Sequence, residues 1–227
     1  MQDITIHPIA TMRSDFSSKF GIPRQSGLVT ELRSTIVFEP EYRNPDALRG
    51  IEGYSHLWLI WQFSEAVRTE WSPTVRPPRL GGNTRMGVFA TRSPFRPNNL
   101  ALSCVRLLGT EQTNEGTVLH VAGADLMDGT PILDIKPYIP YADCQTDAIG
   151  GFTDTAEDFL LQVDFPAHLL EKLPADKQQA AIGVLSHDPR PSYQRSPERI
   201  YGLPFAGFDI RFRVDDNNLT VIDVKKG

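Results

Sequence analysis

Between Arg76 and Ser103 the chain reads RPPRLGGNTRMGVFATRSPFRPNNLALS, and no continuous helix can run through it. Pro77, Pro78, Pro94 and Pro97 each fix φ and remove a backbone donor, while Gly81 and Gly82 admit shapes that other residues resist. What remains is a set of ordered loops around a short apolar strand, Met86 to Ala90. From Trp71 to Thr110 there is no Asp, Glu or Lys, yet Arg76, Arg79, Arg85, Arg92, Arg96 and Arg106 all fall there. Arginine suits bidentate and planar recognition of carboxylates, phosphates and bases. Such a run is either a solvated basic face or a preformed anion site. The rigid prolines, the Gly pair and the single sign of charge favour the second.

The balance of the chain shapes that reading. The net charge is −5, and from Glu111 to Asp164 the acids are dense and Lys136 is the only Lys or Arg. An acid-free basic segment thus abuts an almost base-free acidic one, which permits a local positive patch on an acidic protein. No apolar run approaches the roughly 18 residues that a membrane span needs. MQDITIHPIA lacks the basic start and apolar stretch of a secretion signal. Cys104 and Cys144 are the only cysteines, so no disulfide framework is implied and a cytoplasmic chain with free thiols is expected.

Short β-patterned segments dominate the first two thirds. Strands are expected at Ile4–Ile9, Ser34–Glu39, Ile51–Phe63, Leu100–Leu108 and Thr117–Leu126. Asp128-Gly129 reads as a tight hairpin turn before a returning strand, Pro131–Ile135. Small polar residues around Gly150 and Gly151 mark a domain boundary. Beyond it come a strand over Glu157–Phe165 and helices over Ala167–Leu173 and Asp176–Ser186, which Pro166 and Pro174 introduce. Strands over Phe208–Val214 and Leu219–Val224 close the chain. This spacing predicts a small barrel or curled sheet rather than a parallel α/β sheet.

Three stretches carry a family resemblance: FGIPRQSG at 20–27, RPPRLGGN with GVFATRSPFRPNNLALS, and ADLMDGTPILDIKPYIPYAD at 124–143. They resemble the signatures of the TrmO/TsaA-like (YaeB) family of S-adenosylmethionine-dependent tRNA methyltransferases. HDPRPSY at 187–193 resembles that family more loosely. This chain has Asn99 and Ala101 where the family more often has Pro and Gly, and Ser64-Glu65 where it often has a His-Gln pair. The resemblance implies a mainly β protein, with a TsaA-like single-sheet β-barrel over residues 1–148 and a small α+β C-terminal domain over 149–227. It implies methylation of the N6 nitrogen of threonylcarbamoyladenosine beside the tRNA anticodon, with S-adenosyl-L-methionine as cofactor and a homodimer as the working form. Its pattern places Arg24, Gln25, Ser26, Ser64, Glu65, Arg92, Leu102, Asp125 and Leu126 around the cofactor.

The residues themselves narrow the chemistry by exclusion. There is no G-x-G-x-x-G after the first strand, no H-E-x-x-H or Cys/His cluster, and no G-x-S-x-G. A Rossmann cofactor site, a metal site and serine hydrolysis are therefore unsupported. For an RNA-loop substrate, Arg76, Arg79, Arg85 and Arg96 suit phosphates and Tyr141 suits stacking. Asp134 and Tyr138 are the candidates for accepting the N6 proton, although an ordinary strand carboxylate and a packed aromatic explain them equally. The other reading is a non-catalytic module that binds RNA or a nucleotide-like ligand without methyl transfer, and binding of the cofactor separates the two.

Overall fold

A computed structural model describes residues 3–67, 70–154, 160–190 and 196–227. Residues 157–159 of the expected strand, residues 191–193 of HDPRPSY and the side chain of Arg79 lie outside the described set. In chain order the strands are β1 (Ala10–Arg13), β2 (Arg33–Phe38), β3 (His56–Gln62), β4 (Thr74–Val75), β5 (Met86–Gly87), β6 (Leu100–Thr113), β7 (Gly116–Ala122), β8 (Pro131–Pro137), β9 (Gln162–Asp164), β10 (Tyr201–Phe205), β11 (Phe208–Asp215) and β12 (Asn218–Lys226). The helices are α1 (Pro140–Asp143), α2 (Ala167–Leu170) and α3 (Ala175–Ser186), with several single 3-10 turns between.

Six strands pair antiparallel in a ring that closes on itself, in the order β1-β2-β7-β6-β3-β8. Strand alternation builds its interior. In β3, Leu57, Leu59 and Trp61 point in and are buried, whereas His56, Trp58, Ile60 and Gln62 are only partly covered. Met12, Ile36, Val105, Leu119, Val121, Leu126 and Ile132 fill the same core.

The closing sheet has the order β10-β11-β12-β9, with β9 parallel to β12 and the other pairs antiparallel. The buried face of α3, with Ala180, Ala181, Val184 and Leu185, shares a core with Ile210, Phe212, Val214, Leu219 and Val221. Phe16, Val29 and Leu32 from the other end of the chain belong to this second core. Segment 16–32 therefore leaves the ring after β1, anchors under the distant sheet and returns to start β2. Lys177 bridges Asp15 at 2.7 Å across the same junction.

Several expectations shift. The first strand is Ala10–Arg13 rather than Ile4–Ile9, and Ile4 and Ile6 are exposed, because their alternation finds no covering layer. β7 ends at Ala122, where Gly123 adopts φ +74° and turns the chain out of the ladder. Asp128-Gly129 does form a turn, with the Thr130 amide donating to Met127 O at 3.2 Å. It is not a hairpin, because β7 pairs with β2 and β6 while β8 pairs with β1 and β3. Met86–Ala90 divides into the two residues of β5 and a 3-10 turn, Val88–Ala90. No described helix is long and apolar enough to cross a membrane.

Candidate cofactor site

A cavity of about 870 Å³ opens at the end of β3 and the start of β6. Four stretches far apart in sequence line it: 19–25, 60–66, 89–103 with gaps, and Asp125 to Thr130 in part. Its volume lies within the range of about 300–1,000 Å³ usual for small-molecule and cofactor sites.

Hydrogen bonds fix each lining stretch. β7 accompanies β6 only from Arg106 onward, which leaves the start of β6 unpaired on that side. Ser26 fills part of the gap, its hydroxyl accepting the Cys104 amide at 3.1 Å. The next residue, Gly27, donates its amide to Gly123 O at 2.8 Å. Both glycines have positive φ, and a Cβ on Gly123 would lie 3.2 Å from Gly27 Cα, so the close approach needs a glycine at 123. Lys19 ties this loop to the far wall by donating to Glu65 O at 2.7 Å.

The arginine loop is internally locked. The Arg96 guanidinium donates to Thr91 O at 3.0 Å and Ser93 O at 3.3 Å. The Asn99 side chain donates to Pro94 O at 2.7 Å and Ala66 O at 3.4 Å, and its backbone oxygen accepts the Phe63 amide at 2.9 Å. Asn99 thus joins the loop to the Ser64–Ala66 turn with a side-chain amide that a proline would lack. Arg92 is exposed and donates to Gln25 Oε1 at 2.5 Å.

The interior wall carries a buried polar relay. The Trp61 indole donates to the Ser103 hydroxyl at 2.9 Å, and Ser103 donates to Asp125 Oδ1 at 2.6 Å. Burial pushes the Asp125 carboxyl up, against the downward pull of Ser103, its own amide, Arg92 and the Ser26 amide. Leu102 and Leu100 remain partly exposed along the opposite, apolar side. The site therefore combines cations at the mouth, one half-buried carboxyl and an apolar wall.

Of the expected cofactor residues, Arg24, Gln25, Ser64, Glu65, Arg92, Leu102 and Asp125 line the cavity. Ser26 sits beside it, bonded to Cys104 of β6, and Leu126 is buried in the ring core with its carbonyl accepting from Ser14 at 2.8 Å. Arg96 lines the cavity too, while Arg76 and Arg85 are exposed on the adjoining loop. Tyr141 is exposed on α1, away from the lining. Asp134 lies outside the lining and pairs with Lys136 at 2.9 Å. Tyr138 also lies outside it, against the rings of Trp58 and His56 at 5.7 and 6.2 Å. Sequence reasoning missed Lys19, Trp61, Ser103 and Phe89. Among the described residues no cluster of three or more His, Cys, Asp or Glu could hold a metal ion.

Known proteins resemble this chain along nearly its whole length. The model of the tRNA-methyltransferase O N-terminal domain matches residues 11–144, and that of the TrmO C-terminal domain matches residues 158–227. The tRNA (adenine(37)-N6)-methyltransferase of Escherichia coli is 38% identical over 229 residues, 97% of each chain. The human protein of the same name is 35% identical over 162 residues, 70% of this chain and 35% of its own. A crystal structure of TrmO from P. aeruginosa superposes with a TM-score of 0.81 at 34% identity, over 100% of this chain and 99% of that one. With both halves matched and relatives aligned along nearly its whole length, the chain belongs to the tRNA-methyltransferase O family.

Proposed function

We propose that this chain transfers the methyl group of S-adenosyl-L-methionine to the N6 nitrogen of threonylcarbamoyladenosine, next to the anticodon of tRNA. The observation that carries the reading is the convergence on one cavity of the 19–25 loop, the arginine loop and Asp125, with the charge and apolar division just described. The residues fit the cofactor. Arg92, held by Gln25, would take the methionyl carboxylate; Asp125 would take the ammonium or a ribose hydroxyl; Ile60, Leu100 and Leu102 would face the adenine.

When bound, the cofactor supplies a methyl already activated on a sulfonium. The chain's share is to align donor and acceptor and to exclude water, an effect worth about 7–11 kcal/mol of barrier where the geometry is held. Lys19, Asn99 and Ser26 serve that end by tying the lining loops together. Asp134 and Tyr138 stand outside the lining, and we give neither the N6 proton.

The closed ring of strands reads as the single-sheet TsaA-like β-barrel, and residues 1–148 and 149–227 as the two domains. We take the working form to be a homodimer, a reading supported by the resemblance and by Leu102, which one chain leaves 51% exposed on the cavity wall. We take its location to be the cytoplasm, a reading supported by a tRNA substrate and two free cysteines.

Mass spectrometry of tRNA nucleosides from cells that lack the gene tests the activity. The methylated nucleoside should disappear while threonylcarbamoyladenosine remains. Its unchanged presence, with no second enzyme in the cell, overturns the proposal.

A further inference from the structure

Two aromatic side chains at the edge of the cavity, Trp71 and Phe89, are not used by the cofactor contacts proposed above. Trp71 is 53% exposed and Phe89 is 74% exposed, and their rings lie 6.3 Å apart with planes inclined by 30°. They are neighbours only because β4 and β5 pair, Thr74 with Gly87 and Val75 with Met86, and because the Val88 amide donates to Pro73 O at 2.9 Å. In the 3-10 turn that follows β5, Val88 points in and is buried, and its anchorage forces Phe89 outward. Phe89 lines the cavity mouth, and Trp71 lines an adjoining hollow of about 140 Å³.

Exposing two large aromatic faces costs solubility and stability, so a ligand that covers them is implied. The surrounding charge selects it. Glu70 and Arg96 both border the hollow beside Trp71, but no acid occurs between Trp71 and Thr110, and Arg76 and Arg85 on the intervening loop make no ion pair with a described residue. Aromatic faces set among unpaired arginines match a single-stranded nucleic acid, whose bases stack while its phosphates meet the cations. A partner protein would need a strongly acidic apolar face to do the same.

We propose that Trp71 and Phe89 form a stacking platform for a base of the tRNA anticodon loop that flanks the methylated adenosine. This inference rests on the tRNA reading above. The platform holds the loop at the cavity mouth by its base faces, and Arg76 and Arg85 hold its backbone.

The test uses the full chain, an unmethylated anticodon stem-loop RNA and whole tRNA. Trp71→Ala and Phe89→Ala should each weaken stem-loop binding by about 5-fold or more. The slope of log affinity against log salt should not change, because no phosphate contact is lost. KM for tRNA should rise in both variants while cofactor affinity stays in Trp71→Ala, whose side chain lies outside the cavity lining, and Trp71→Phe and Phe89→Tyr should recover most of the loss. RNA should quench tryptophan fluorescence in the wild type and not in Trp71→Phe. Persistent quenching in Trp71→Phe, or unchanged KM in both alanine variants that melt normally, overturns the platform and leaves the activity standing. If the alanine variants instead shift the protein to a smaller species by light scattering, the aromatic pair is an interface between copies and the proposal fails. A wild-type chain that methylates no tRNA overturns the proposed activity, and the quenching measurement, which needs no chemistry, still decides the platform.

Discussion

Ser103 donates its hydroxyl to the carboxylate of Asp125 at 2.6 Å, and so fixes one of the two acids, with Glu65, that line the cavity. Burial outweighs this bond and its neighbours, and the Asp125 carboxyl lies above its ordinary value of 3.8. A carboxyl raised in the folded state binds its proton more tightly there than in the unfolded chain. Its contribution to stability is thus complete below the unfolded value and is lost as pH rises through the folded one.

Asp125→Asn removes that loss while keeping an acceptor for Ser103. The cofactor-free variant should melt above the wild type at neutral pH, and the gap should close as pH falls below 3.8. Cofactor binding should weaken at the same time, by about 1.5–3 kcal/mol, the usual worth of a hydrogen bond to a charged group. Thermal melts across pH and a cofactor titration check both signs. A variant that is less stable at neutral pH would show that Asp125 contributes to the fold as an anion.

The arginines should divide their labour. Arg92, bonded to Gln25 inside the cavity lining, should cost about 1.5–3 kcal/mol of cofactor affinity when changed to alanine. Arg85→Ala should spare the cofactor and weaken tRNA, with the salt slope smaller by about 0.7 to 0.9 if one phosphate contact is lost. Titrations at several salt concentrations decide it, and the opposite pattern reverses the assignment.

Gly21 links the second core to the cavity. It has φ +87°, and a Cβ there would stand 2.1 Å from Leu203 Cδ1. Gly21→Ala should therefore lower stability by about 1–3 kcal/mol through backbone strain alone. It should also weaken cofactor binding, because Ile22 to Gln25 follow directly along the cavity wall. Combining it with Leu203→Ala should cost less than the sum of the two single changes, since the clash is then gone. Strict additivity in denaturant unfolding would mean that the loop avoids Leu203 altogether.

Light scattering tests the homodimer: the mass should be about twice the 25.4 kDa of the chain. A monomer that retains full cofactor affinity would remove the reading.

Much of the fold could be read from alternation. FDIRFRV alternates in sequence and HLWLIWQ reads as a strand apolar on both faces; each is a strand that buries every second side chain. YGLPF was missed because Gly202 and Pro204 interrupt its pattern, although both sit on its outer face, where they cost little. ITIHPI misled in the opposite direction, since alternation without a covering layer makes no strand. In the site, Arg24, Arg92 and Asp125 were reached through the resemblance. The Trp61–Ser103 bond was not, because it depends on the β3–β6 register that sets Ser103 opposite Leu59, one diagonal from Trp61. Nor was the pairing of Trp71 with Phe89, which hangs on two strands of two residues each.

Phe16, Val29 and Leu32 are buried beneath a sheet whose final strand ends at Lys226. Ribosomal synthesis delivers the 16–32 segment early and the surface that immobilises it last. A nascent or prematurely terminated polypeptide therefore carries the ring-forming strands without a fixed 19–26 loop. The wall of the cavity formed by residues 19–25 thus takes its final position only once the distant sheet has folded around Phe16, Val29 and Leu32.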